Sequence, residues 1–358
     1  MDKTEQLLKE LTEADGVPGY EHEIRKIMAR ELNECTEELL YDKLGSIVGR
    51  SGNAEEGPRI LVEGHMDEIG FMVKEITDEG FIKFLPLGGW WGHVALGHRM
   101  RVITSKGVFP GVIGSKPPHL LEDDERKKVL KIKDMFLDLG TQDKFDVRET
   151  LGVKVGDPIV PESHFTIMGN TQNYLSKAFD NRMGCAVAIQ VAQHLKETGH
   201  PNALYAGASA QEEVGLRGAQ TLAHLVDPDV AFCVDVGVAQ DVPPEGFKKQ
   251  ERLGNGPTIL IFDASMVPNV RFRDLIIETA EKENIPFHLS AMERGGGDGG
   301  RIHTSRLGVP TIYIGAPTRY IHAHNGIMNR ADYDNTVKLI VEVIKRLDKE
   351  TVRSFTQD

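Results

Sequence analysis

The chain has 358 residues, 40% of them apolar, enough for a real core and for two domains or one domain with a large insertion. A net charge of −12 argues against a nucleic-acid partner, whose phosphates it would repel. No apolar run approaches the roughly 18 residues of a membrane helix, and Met1-Asp2-Lys3-Thr4-Glu5 is charged with no apolar signal region behind it; a soluble, cytoplasmic protein with no membrane partner is expected.

Leu7, Leu8, Leu11 and Ala14 have helical spacing, with Thr4 as a candidate N-cap, and Gly16-Val17-Pro18-Gly19 ends that helix. A second helix carries Ile24, Ile27, Met28 and Leu32 on one face. Ser46–Gly49 and Arg59–Glu63 read as strands, the latter running into Gly64-His65-Met66-Asp67-Glu68-Ile69-Gly70. From residue 71 to 161 the texture changes to short alternating runs separated by glycines, the pattern of a small inserted β-barrel or sandwich. Its charged stretch Glu122–Lys128 reads as a solvated helix start or connection.

Residues 1–70 and 162–358 then form the other, discontinuous domain. It has a helix near Gly184–Thr198, a strand at Leu204–Ala208, a helix from Leu216 and the strand Asp229–Asp235. Further strands near Thr258–Phe262, Pro286–Ser290 and Pro310–Ile314 alternate with helices near Val270–Glu283 and around Val337–Leu347. Near-continuous apolar strands alternating with helices predict an α/β fold with a mostly parallel, helix-covered sheet. Cys35, Cys185 and Cys233 show no metal-type spacing and read as reduced, buried side chains.

Ligands of open α/β sheets sit beyond the carboxyl ends of the strands. Three strands here end in candidate ligands: His65 with Asp67, Glu212 with Glu213, and Asp235; Asp180 and His322 add two more on loops. A single acid or histidine at such a place is ordinarily structural, but five sites converging on one sheet edge are not. Alternation along an extended backbone sends Glu212 and Glu213 to different sides, one to bind metal and one to move a proton, without deciding which. Asp67 falls on the same side as His65 and can accept its free ring N–H, orienting it.

Histidine and carboxylate ligands without cysteine favour zinc, cobalt or manganese. The set suits two divalent ions, each with one imidazole and one terminal acid, sharing a bridging acid. Ions ~3.5–4 Å apart can hold a hydroxide and polarise a carbonyl. A free carboxylate nearby would then carry the proton to a leaving amine.

The motifs Gly64-His65-Met66-Asp67-Glu68-Ile69-Gly70, Phe179-Asp180-Asn181-Arg182, Gln211-Glu212-Glu213-Val214-Gly215, Asp235-Val236-Gly237 and Arg319-Tyr320-Ile321-His322 together resemble the glutamyl-aminopeptidase family. That family includes the tetrahedral TET-type aminopeptidases, and some members carry an endoglucanase or cellulase name. The resemblance implies a two-metal hydrolase of short peptides, with His65, Asp180, Glu213, Asp235 and His322 as ligands and Asp180 bridging. It implies Glu212 as general base, Asp67 as the helper behind His65, and a cis peptide after Asp180. It further implies zinc or cobalt, and a homo-oligomer, a large hollow assembly of twelve subunits, whose contacts involve the inserted barrel. His324 is left structural, as are His93, His98 and His119. One departure stands out: Gly295-Gly296-Gly297-Asp298-Gly299-Gly300 replaces a Gly-Gly-Thr-Asp-Ala type segment. Two rival readings are a glycoside hydrolase, which needs two acids and no metal, and a non-catalytic, metal-stabilised scaffold.

Overall fold

The computed structural model describes residues 1–243 and 251–357. An eight-stranded sheet runs in the order Glu38–Tyr41, Ile47–Ser51, Ala203–Ser209, Arg59–His65, Val230–Val234, Thr311–Gly315, Thr258–Phe262, His288–Ala291. Ala203–Ser209, Arg59–His65, Val230–Val234 and Thr311–Gly315 pair parallel at its centre. They are buried almost throughout, as a sheet covered on both faces requires. Helices Lys3–Glu13, His22–Cys35, Phe179–Thr198 and Arg330–Ile344 join one large core through Leu8, Leu11, Met28, Val187, Val191 and Ile340.

The first helix corrects one expectation. Its cap is Asp2, not Thr4: the Asp2 carboxylate accepts the Glu5 N–H, and the Glu5 carboxylate accepts the Asp2 N–H, both at 2.8 Å. This reciprocal box satisfies two otherwise orphaned donors, which a threonine already within the first turn cannot do.

Inserted in the chain between Arg59–His65 and Ala203–Ser209 is a closed antiparallel barrel of six strands. In chain order these are Gly70–Ile76, Ile82–Leu87, Arg99–Thr104, Gly107–Gly114, Phe136–Asp138 and Pro158–Pro161. Its core is separate, built from Phe71, Val73, Ile82, Met100, Val102, Leu137 and Ile159. The charged stretch inside it forms a short exposed helix, Asp123–Arg126. A further five-stranded sheet went unpredicted because its strands are two to four residues long. It joins Asn173–Ser176, Gly326–Asn329 and Pro317–Arg319, and so flanks the segments bearing Asp180 and His322. No helix of the described residues is long and apolar enough to cross a membrane.

Candidate metal and catalytic site

Strand register brings the site together. Ser209 pairs with His65, and Cys233 with Glu63, so three neighbouring parallel strands end side by side at His65, the 210–216 turn and Asp235. On the far side Val234 pairs with Ile314, from which the chain passes through Pro317–Arg319 to His322. Asp180 enters from the start of the helix Phe179–Thr198, where its own backbone is non-helical and the peptide to Asn181 is cis.

The geometry centres on Asp180. Its Oδ1 lies 3.2 Å from His65 Nε2, and its Oδ2 lies 3.5 Å from His322 Nε2. Glu213 Oε2 is 3.8 Å from His322 Nε2, while Glu212 Oε2 and Asp235 Oδ2 are 3.8 and 4.0 Å from His65 Nε2. Ligand atoms of His65, Asp180 and Glu213 lie within 4.8 Å of one another, as do those of His65, Glu212 and Asp235. All seven residues expected at the site are therefore in one place, at one side of a cleft of about 530 Å³. A larger groove of about 1020 Å³ opens around Arg59, Asp229 and Pro310, at the amino ends of the same strands. Neither metal-type cluster lies there among the described residues.

Two expectations about local geometry need correction. Glu212 and Glu213 do point to different neighbours, but not through strand alternation. They lie beyond the strand in a turn opened by Gln211, whose φ is +59°. Asp67 is also more than a partner for the imidazole. His65 Nδ1 is 3.0 Å from the Asp67 backbone carbonyl and 3.5 Å from Oδ1. The Asp67 carboxylate accepts the backbone N–H groups of Glu212 and Glu213, at 2.9 and 3.0 Å. The contact spans 145 residues of sequence, so no local spacing could have shown it.

The electrostatics are those of a cation site. Burial raises the pKa of Glu212 and Glu213 well above the usual carboxylate range, and neighbouring acids add to the effect. Burial, with the Asp180 charge, pushes Asp235 up to about 8. Asp180 goes the other way: burial would raise it, but His65 and His322 hold it low. Burial opposes charging of His65, yet Glu212, Asp180 and Asp67 outweigh it and keep its pKa well above normal. Glu213 Oε1 is buried without a hydrogen-bond partner. Crowded carboxylates with two imidazoles and an open oxygen fit a divalent cation, which supplies the missing positive charge.

Several supporting residues were not singled out from the sequence. Glu63, two positions before His65 and hence on the same face of the strand, is fully buried beside Asp298, whose carboxylate accepts the Ser209 hydroxyl. Alternation could have found Glu63, whereas Asp298 could not be placed from its glycine-rich surroundings. That glycine run packs close: a Cβ on Gly297 would lie 3.3 Å from Asp235 Oδ2 and 3.1 Å from the Tyr313 ring. Below the site, Glu68 receives Lys177 at 2.5 Å and Arg182 at 3.4 Å, all three buried. Of the histidines left structural, His324 lies against His98 with ring centroids 3.4 Å apart and the rings tilted by 37°.

Comparison with known proteins identifies the family. Residues 45–339 match the sequence profile of the M42 glutamyl aminopeptidases. The glutamyl aminopeptidase of Lactococcus lactis is 34% identical over 96% of this chain and 97% of its own. The lysyl aminopeptidase of Pyrococcus furiosus is 32% identical over 96% and 98%. A TET aminopeptidase from a marine-sediment Thaumarchaeota archaeon superposes with a TM-score of 0.96 at 46% identity, covering 99% of this chain and all of that one. The chain belongs to the M42 glutamyl aminopeptidase family and is a metal-dependent aminopeptidase.

Proposed function

We propose that the chain removes N-terminal residues from short peptides with the help of two divalent ions, zinc or cobalt. The carrying observation is the placement of one carboxylate between two imidazoles: Asp180 offers one oxygen to His65 and the other to His322. In this reading His65 and Asp235 would hold one ion and Glu213 and His322 the other, with Asp180 as the acid that would serve both. Bound there, the ions would polarise the scissile carbonyl and lower the pKa of water.

The chain's own groups do the rest. Glu212 takes a proton from the attacking water and returns it to the leaving amine; its side chain is 12% exposed, against 4% for Glu213, and it lines the cleft. Asp67 keeps Glu212 and Glu213 in place through their backbone N–H groups. The three buried, unpaired cysteines support a reducing, cytoplasmic setting. Assembly into a homo-oligomer, a dodecamer in this reading, is supported by apolar side chains exposed on the barrel, Trp91 at 62% and Phe145 at 68%. A TET1 peptidase of Pyrococcus horikoshii, 30% identical, assembles into a tetrahedron or an octahedral shell.

Chelation followed by restoration of zinc or cobalt should abolish and then recover hydrolysis of aminoacyl p-nitroanilides. Full activity in metal-free protein would sink the proposal. Hydrolysis of soluble cellulose that survives chelation would replace it with the glycosidase reading. A metal-loaded protein that cleaves no peptide would point to a scaffold.

A further inference from the structure

We propose that the barrel loop Gly88-Gly89-Trp90 positions the side chains assigned to one ion, Glu213 and His322, and that Trp90 is the residue that fixes the loop; this rests on the two-ion reading above. The ion assigned to His65 and Asp235 would then bind independently of the barrel.

The two imidazoles of the site are held in different ways. The His65 side chain is 2% exposed, and its Nδ1 faces the Asp67 carbonyl oxygen at 3.0 Å and the Asp67 carboxylate at 3.5 Å. The His322 side chain is 40% exposed, and its backbone has a φ of +56°, a left-handed conformation uncommon for a residue with a Cβ. Among the described residues, the hydrogen-bond partner of its Nδ1 is the Gly89 carbonyl, at 2.9 Å. A carbonyl only accepts, so this contact keeps the proton on Nδ1. The Nε2 lone pair is then left facing Asp180 and Glu213, at 3.5 and 3.8 Å. Gly88 lies against the other member of the pair: a Cβ there would be 2.9 Å from Glu213 Oε2, and one on Gly89 would be 2.9 Å from His322 Nδ1. Asp235 has different neighbours, since its carboxylate accepts the Val236 N–H at 2.7 Å and Gly297 approaches it from another loop.

Trp90 ties the loop down. Its indole N–H donates to the Gly70 carbonyl at 3.0 Å. Its ring stacks on the buried Phe71, with centroids 4.8 Å apart and planes 22° apart, and packs against the barrel core. A glycine pair has no side chain with which to hold its own conformation, so the anchor falls on the residue that follows. Gly70 and Phe71 open the first barrel strand, Gly70–Ile76. The barrel thus reaches the site through one backbone oxygen whose place is set by an aromatic contact. A partner that fixes the tautomer and orientation of a ligating histidine typically changes metal affinity or activity about 10–100-fold.

The test starts from the zinc-loaded protein and measures the affinity of each ion by competition with a chelating dye, with the visible absorption of the cobalt-substituted protein as a second readout. Trp90→Ala, and Gly89→Ala, whose methyl would press on the His322 ring, should each weaken one ion about 10–100-fold and leave the other unchanged. Trp90→Phe keeps a ring on Phe71 and loses the bond to Gly70, so its loss should be smaller. Ligand variants identify the ion. In Asp235→Asn, which leaves the Glu213 and His322 pair intact, Trp90→Ala should lower the affinity of the remaining ion by the same factor; in Glu213→Gln it should change nothing. Val102→Ala opens a cavity in the barrel core on another strand, Arg99–Thr104, and should leave both affinities unchanged. Equal weakening of both ions overturns the proposal, as does a loss that persists in Glu213→Gln, a loss of the same size in Val102→Ala, or unchanged affinity in both Trp90→Ala and Gly89→Ala. If Trp90→Ala does not fold, Gly89→Ala and Trp90→Phe decide by the same criteria. A wild type that holds a single ion ends the two-ion reading by itself. The loop is then judged on that ion: a loss in Gly89→Ala sustains its role, and an unchanged affinity overturns it.

Discussion

Asp67 accepts the backbone N–H of Glu212 on its Oδ1 at 2.9 Å. Its Oδ2 does the same for Glu213 at 3.0 Å. One buried carboxylate thus restrains both glutamates and, through its own backbone carbonyl, the His65 ring. Asp67→Asn leaves one acceptor oxygen and turns an N–H₂ group toward an N–H donor. Loss of a partner that orients metal-site groups typically lowers activity or metal affinity about 10–100-fold. We expect a fall of that size in kcat or in zinc affinity, read by steady-state kinetics and competition with a chelating dye. Unchanged values would return Asp67 to a plain turn acid.

Glu212 and Glu213 should fail differently. Glu212→Gln is expected to keep its metal content, measured by atomic emission, while kcat falls by about 10²–10⁴-fold, the range for removing a general base. Glu213→Gln is expected to lose metal first and activity as a consequence. The reverse pattern would exchange their roles.

Beneath the site Glu68 is the shared acid of Lys177 and Arg182, and all three are buried. Glu68→Ala removes the acid shared by two buried cations, leaving Lys177 with Asp15 at 3.6 Å and Arg182 with backbone carbonyls alone, for which the expected cost is about 3–5 kcal/mol of unfolding free energy. Urea denaturation of the variant and the wild type measures it. The same network ties the 65–69 turn to the segment carrying Asp180, since Lys177 also donates to the Ala14 carbonyl and Arg182 to that of Gly16. Metal affinity should therefore fall along with stability.

Glu21, which is not itself one of the proposed metal ligands, offers a pH-dependent test. Burial, then the charge of Asp67, raises its pKa from 4.5 to about 7. The folded state therefore binds its proton more tightly than the unfolded chain. The stability this provides is complete below pH 4.5 and is lost as pH rises through about 7. A shift of this size corresponds to roughly 3 kcal/mol. Glu21 Oε1 accepts the N–H groups of Gly19 and Gln211, which a glutamine oxygen can also do. Glu21→Gln should thus gain stability over wild type at pH 8 and not at pH 4.5, by denaturant titration at both. Parallel stability curves would mean that Glu21 ionises normally.

Much of the site could be read in advance because its members announce themselves locally. His65, Asp235 and the Glu212-Glu213 pair each follow an apolar strand, and the end of a parallel strand is where such a sheet binds ligands. The barrel showed in its short, glycine-separated runs. The flanking five-stranded sheet did not, because two-residue strands such as Thr166–Ile167 have no period to detect.

Residue identity and hydrophobic period, by themselves, determined the longer strands and helices and which side chains carry metal-binding groups, since both depend on neighbours a few positions apart. The tertiary structure alone decided how those groups share the work. Parallel register sets His65 beside Ser209, and the helix start delivers Asp180 between two imidazoles. A turn 145 residues away hands its N–H groups to Asp67. Such contacts depend on angstrom distances between segments far apart in the chain, and those distances exist only after the two cores have packed.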